Sequence, residues 1–253
     1  MQQLEQSVLR TNSLCKSFGA IRATQKVDLH VKKDTVHSII GPNGAGKTTL
    51  FNLLAGVFPP TSGTVIFKDE DVSGNTVNER CALGVGRSFQ VTSIFPELTV
   101  AENVRLACQA KTGLGRSLFK LASRSREVND KADSILEFMG ILHLRDEAAG
   151  TISYGSQRSL DVAIAIGTEP DLLLLDEPTS GMSPDDTVRM IELIHRLAER
   201  YTIVLIEHHM NVVMSISDTI SVLHMGELIA EGTPEEIQNN DLVRKAYLGE
   251  STW

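Results

Sequence analysis

The sequence predicts an α/β protein, and three observations carry that prediction. Short β-branched or apolar runs recur between stretches of helical spacing along the 253 residues. A glycine-rich loop, Gly41 to Thr48, stands between one such run and one such stretch. A leucine run, Leu172 to Leu175, ends on two carboxylates, Asp176 and Glu177. With 42% hydrophobic and 22% charged residues, the chain reads as a soluble globular protein able to bury a substantial core.

Taken in order, Val8–Thr11 and Val27–Val31 alternate like strands, with a turn expected at Lys16–Gly19. Thr35–Ile40 is a buried strand by composition, and Thr49–Gly56 is a helix that ends on glycine. Pro59–Gly63 breaks the chain before the strand Thr64–Phe67, and another short strand runs through Val85 to Gln90. From Thr99 to about Gly150 the character is helical, with helices over 101–111 and 128–139 and a loop over 113–125. Arg116, Lys120, Arg124 and Arg126 form a basic cluster that reads as a solvated face. Ser153 is placed to cap a helix running to about Thr168. Pro184–Arg200 is an amphipathic helix, Thr202–Ile206 a buried strand, and Thr219–Leu223 and Leu228–Ala230 further strands. Thr233-Pro234-Glu235-Glu236 then opens a helix by capping box with proline at its first position.

The loop Gly41-Pro42-Asn43-Gly44-Ala45-Gly46-Lys47-Thr48 satisfies the phosphate-cradling spacing G-x-x-x-x-G-K-[ST], with a strand before it and a helix after it. Glycines let the backbone curl so that successive N–H groups face one anion, and the helix adds the positive end of its dipole. Lys47 then reaches the β- and γ-phosphates, and the Thr48 hydroxyl ligates Mg2+. Asp176 and Glu177 stand at the C-terminal end of an apolar strand, the edge where ligands of open α/β sheets collect. Glu207, His208 and His209 follow another buried strand, and either histidine is a candidate γ-phosphate sensor by spacing. Phe18 either packs at a turn or stacks on adenine.

A formal charge of −8 disfavours a broad nucleic-acid groove. Cys15, Cys81 and Cys108 are far apart and lack C-x-x-C spacing, so they read as reduced and structural. Met1–Gln6 lacks the pattern of a secretory signal, and no apolar run is long enough to span a bilayer. A membrane role is therefore expected through a partner.

The ordered set of phosphate loop, isolated Gln90, Ser153-x-Gly155, Leu172-Leu-Leu-Leu-Asp-Glu-Pro178 and His208 resembles the ATPase subunit of an ATP-binding cassette transporter. The resemblance covers about Val8 to Gly249. It implies an α/β fold with a P-loop NTPase (RecA-like) core over 1–90 and 160–253, an antiparallel β subdomain and an inserted helical subdomain over 91–159. It implies ATP and Mg2+ as cofactors, with Phe18 at the adenine, residues 41–48 and Thr49 at the phosphates, and Thr48, Gln90 and Asp176 at the metal. Glu177 would polarise the attacking water, with Lys47, Gln90 and His208 as the other catalytic groups. Ser153 and Gly155 would face ATP held by a second ATPase subunit, either identical or different. Further implied partners are membrane permeases, docked near Gln90 and Val91–Leu98, and an extracytoplasmic solute-binding protein reached indirectly. Nucleic acid is not among them. The expected location is the cytoplasmic face of the membrane.

Ser153-Tyr154-Gly155, the stretch Phe95–Val104 and the tail Ala246–Glu250 are similar to the ATPases of branched-chain amino acid importers and their amide or urea relatives. Lipopolysaccharide exporters share part of that tail. Tyr154 and Ser156 replace the commoner glycine and glutamine of this signature, Ile164 replaces a common arginine, and Ser183 stands where aspartate is usual. Two further classes fit single features of the chain: a soluble ATPase of DNA repair or translation, and an ATP-responsive partner that never hydrolyses.

Overall fold

The chain opens on an antiparallel set whose first strand is longer than its sequence suggests. The computed structural model describes residues 7–88, 93–112 and 121–247, with side chains of 111, 112 and 121–125 left aside. β1 (Ser7–Phe18) pairs antiparallel with β2 (Ile21–Val27) and with β3 (His30–Lys32). The expected turn at Lys16–Gly19 is instead a tight turn at Gly19–Ala20, because Phe18 pairs directly with Ile21. Register shifts at Leu14, Lys16 and Ser17 break the period-2 pattern there, so a bulged strand reads like a turn.

β4 (Val36–Ile40) has every side chain buried, as a strand covered on both faces requires. It feeds the loop 41–46 and then α1 (Lys47–Ala55), which stops on Gly56 in the left-handed region (φ 78°). β5 (Ser62–Phe67) pairs with β1 and with β6 (Glu70–Asp71), and α2 (Val77–Leu83) follows.

Two compact units divide the chain: Met1–Arg80 with Ile194–Trp253, and Cys81–Leu193. In the second, β7 (Val85–Arg87) lies parallel to β8 (Leu172–Asp176). Between them come α3 (Val100–Thr112), α4 (Leu121–Phe138) and α5 (Tyr154–Gly167), and α3 packs on both of the others. α4 starts earlier than expected, at 121 rather than after 125, while 113–120 lie outside the described residues. Thr99 and Glu102 cap α3 reciprocally: the Thr99 N–H donates to Glu102 Oε2 (2.9 Å) and the Glu102 N–H to Thr99 Oγ1 (3.1 Å).

α6 (Pro184–Ala198) returns the chain to the first unit. There β9 (Thr202–Ile206) runs parallel to β4, and β4 runs parallel to β10 (Thr219–His224). α7 (Met210–Ile216) joins β9 to β10, and β11 (Glu227–Gly232) pairs antiparallel with β10. α8 (Pro234–Gln238) begins with the expected capping box at Thr233, and α9 (Asp241–Tyr247) closes the described chain. Ile40, Val213, Ile220, Val222, Ile237, Val243 and Tyr247 form one apolar cluster, which seats the two last helices against the parallel strands.

Candidate functional site

The loop 41–46 is built for close approach. Gly41, Gly44 and Gly46 all have positive φ (153°, 77° and 101°). A Cβ at Gly41 would strike the Leu223 carbonyl, and one at Gly46 the Ala23 carbonyl, whereas one at Gly44 would meet nothing within 4 Å. The loop is thus clamped at its two ends and open at its crest. Gly226 secures it further, donating to the Ala45 carbonyl (2.9 Å) and accepting from the Gln25 N–H (2.7 Å).

α1 starts at Gly46 with no side-chain cap and no acidic residue in its first turn. Its positive end is left to an external anion. Lys47 is buried, and its ammonium donates to the carbonyls of Gly41 (2.6 Å) and Pro42 (3.0 Å). Thr48 is exposed and Thr49 half-buried. Pro42 is half-buried, Asn43 exposed and Ala45 buried, so the crest presents backbone at Asn43 and Gly44. An open crest, an uncapped helix start and a desolvated ammonium fit a polyphosphate.

Phe18 ends β1 with 48% of its surface exposed. Its ring stands edge-on to Phe58 (centroids 5.5 Å apart), and the Lys16 ammonium lies over both rings at 5.3 and 4.8 Å. Phe18 therefore packs at the strand end and still leaves about half of its surface open. His208 and His209 follow β9, both exposed. The buried Glu207 carboxylate accepts from the His208 backbone N–H (3.1 Å) and lies 3.6 Å from His209 Nδ1. Glu207 thus contacts both residues of the pair, the first through its backbone and the second through its ring.

In the second unit, β8 delivers Asp176, buried, and then Glu177, half-buried and held at φ 49°. Positive φ is unusual for glutamate, and such conformations concentrate at functional sites. The Asp176 N–H donates to Ser88 Oγ (3.4 Å), and the Ser88 N–H to the Leu174 carbonyl (2.9 Å), which ties the strand end to the residue after β7. Burial pushes the Arg87 guanidinium below its usual range, while the Asp176 and Asp161 carboxylates pull it back up. Sequence reasoning missed Arg87, because nothing local links residue 87 to residue 176.

Ser153 caps α5: its Oγ accepts from the Ser156 N–H (3.3 Å) and lies 2.9 Å from Ser156 Oγ. Gly155 is buried because the Asp186 carboxylate lies where a side chain would go, with Cγ only 2.7 Å from a Cβ built there. Asp186 was another residue the sequence did not flag. Of the expected site residues, Phe18, residues 41–49 and His208 lie in the first unit, and Ser153, Gly155, Asp176 and Glu177 in the second. Gln90 lies outside the described residues.

The fold and these residues define a nucleotide-binding ATPase class, and comparison with known proteins specifies it. The profile of the ABC transporter family matches residues 24–180, and that of the branched-chain amino acid ATP-binding cassette transporter matches residues 227–251. The chain belongs to the ABC transporter family and is an ATP-binding, ATP-hydrolysing subunit. It is 42% identical to the high-affinity branched-chain amino acid transport ATP-binding protein LivG of Escherichia coli, over 98% of this chain and 100% of that one. It is 32% identical to the lipopolysaccharide export system ATP-binding protein LptB of the same organism, over 96% and 98%. Among solved structures, the ADP conformation of MJ1267, an ATP-binding cassette of an ABC transporter, superposes with a TM-score of 0.85 at 30% identity, covering 97% and 100%. ABC ATPases work as dimers with transmembrane permeases. Among the described residues no helix is long and apolar enough to cross a membrane.

Proposed function

We propose that this chain powers import of branched-chain amino acids, or of a related amide or urea, as one of two paired cassettes at the cytoplasmic face of the membrane. The observation that carries the reading is the 42% identity to LivG along almost the whole chain. An extracytoplasmic solute-binding protein would deliver the solute to the permease. Residues 1–90 and 160–253 would act as the nucleotide-binding core, and residues 91–159 as the helical part. Val91–Leu98 would receive the permease; within it, Phe95 is exposed, and its backbone N–H donates to Asn103 Oδ1 (2.7 Å).

Each residue has a physical task. Phe18 stacks on adenine, and the N–H groups of residues 41–49 surround the phosphates. Lys47 exchanges two carbonyl partners for phosphate oxygens, an exchange favoured by charge. Thr48, Gln90 and Asp176 would hold a magnesium ion, which would supply positive charge to offset that of the phosphates. Glu177 polarises the attacking water, and His208 orients it against the γ-phosphate. Ser153 and Gly155 offer the start of α5 to the partner's ATP, so ATP closes the pair and hydrolysis reopens it.

Glu177→Gln tests this directly. It should keep ATP binding, lower hydrolysis by at least about a hundredfold, and trap an ATP-dependent dimer visible by light scattering. Hydrolysis at the parental rate would remove Glu177 from its role. For the solute, ATPase of the membrane complex should rise with a leucine-loaded binding protein. Stimulation by lipopolysaccharide instead would favour the exporter reading, and recovery of nucleic acid in place of permeases would favour a soluble ATPase.

A further inference from the structure

We infer that Tyr154 is a positioning residue, tying the start of α5 to the loop after Glu177 so that a nucleotide arriving at Ser153 is registered at the water-activating carboxylate. The inference rests on the paired-cassette reading above and concerns contacts within the second unit.

Contacts around the start of α5 carry it. The Tyr154 hydroxyl donates to the Ser180 carbonyl (3.2 Å). The Ser180 N–H in turn donates to the Glu177 carbonyl (3.1 Å), closing the turn that holds Glu177 at φ 49°. A two-bond path therefore leads from the phenol to the backbone of the carboxylate. The Tyr154 ring also lies beside Gly181, where a Cβ would sit 3.4 Å from Cε1, and Arg158, one turn along α5, covers the ring at 5.5 Å. One residue further, Gly155 abuts the Asp186 carboxylate, and that carboxylate accepts from Ser183 Oγ (2.7 Å).

The start of α5 thus touches the 180–186 segment at two successive positions. A glycine at 154 would have no side chain and could make neither the phenol bond nor the ring contact. Ser183 is turned onto Asp186 as the cap of α6, its Oγ also accepting from the Asp186 N–H (3.2 Å). Ser183 is thus engaged within α6, and Tyr154 provides the link from the α5 start to Glu177 inside one chain. Because 44% of Tyr154 is exposed, a shift of the α5 start on pairing can move the ring without breaking a sealed core.

Steady-state ATPase of the membrane complex and dimerisation in the Glu177→Gln background test the inference together. Tyr154→Gly should lower kcat about tenfold, and Tyr154→Phe about threefold, the range that one ordinary hydrogen bond supplies. KM for ATP should stay within about twofold, because the phosphate loop is untouched. Tyr154→Gly combined with Glu177→Gln should still dimerise with ATP. Tyr154→Phe, which retains the ring and its packing, guards against a folding defect in the glycine variant. An unchanged kcat in both variants overturns the inference. So does loss of the ATP-dependent dimer, which would put the ring on the partner's nucleotide instead. If Glu177→Gln alone fails to dimerise, the paired reading is at fault, and the kcat of the single Tyr154 variants still reports on the path to Glu177.

Discussion

α1 and α5 begin in opposite ways. α1 starts on Gly46, with neither a capping side chain nor an acidic residue in its first turn, and behind it lies a buried lysine. α5 starts on Ser153, whose hydroxyl already satisfies the Ser156 N–H, and the Asp186 carboxylate rests against Gly155. Both helices present a positive end. Only the first leaves it without a side-chain cap, so in the function proposed above α1 would bind an anion by itself, whereas α5 would have to exchange existing partners for a phosphate. That difference is what a composite site needs: one half that takes ATP alone, and a second half that engages only when another molecule supplies the nucleotide.

The largest effect expected of this comparison falls on α1. Lys47→Ala removes a charge-assisted contact to phosphate, a loss of roughly a hundredfold in ATP affinity. Fluorescent-nucleotide titration of the purified chain measures it, and unchanged affinity would mean that the α1 start is not the primary anion site.

A second effect, smaller, concerns the strand that aims that loop. His37 of β4 is buried, and its Nε2–H donates to Ser221 Oγ (2.8 Å), whose own proton goes to Glu231 Oε2 (2.7 Å). Burial pushes His37 from its usual 6.5 down to about 4. The native chain refuses a proton that the unfolded chain accepts below about pH 6.5. Stability is therefore full above that pH and is lost as pH falls toward 4, by about 2 kcal/mol between pH 7 and pH 5. Urea midpoints at the two pH values check this. His37→Phe should flatten the difference, and a chain equally stable at both would show that His37 does not control acid sensitivity.

What the sequence shows and conceals follows from how each feature is held. The phosphate loop, the carboxylate strand and the Thr233 capping box are local patterns, so their spacing alone reveals them. β2 is hidden because only Thr24 and Val27 among its seven residues are buried; pairing with β1 shapes it, not an apolar face. α2 is hidden for a related reason. Its buried residue is Arg80, whose guanidinium donates to the carbonyls of Leu53, Leu54 and Val72, each at 2.6 Å, and so caps α1 from a distance. Burial pushes Arg80 down to about 10, which leaves it charged at neutral pH. At the site, Lys47 was legible from its motif, whereas a role for Phe18 came only from the family resemblance. Arg87 beside Asp176, Asp186 against Gly155 and Tyr154 on Ser180 were not, since each pairs residues far apart in sequence.

The smallest effect sharpens the comparison from the α5 side. Ser153→Ala removes a cap whose bond is long, 3.3 Å, and which lacks the reciprocal glutamate that completes the Thr233 box of α8. Loss of such a cap costs about 1 kcal/mol, equivalent to a fall in Tm of about 2 to 4 °C for a domain of this size. ATP affinity of the isolated chain should not move, since α1 holds that nucleotide. In the Glu177→Gln background, however, the ATP-dependent dimer should weaken about fivefold, because the hydroxyl that leaves the Ser156 N–H for the partner's phosphate is gone. Calorimetry, nucleotide titration and sedimentation on one preparation separate these readouts. A fall in ATP affinity without a change in dimerisation would make the two helix starts equivalent and end the distinction between them.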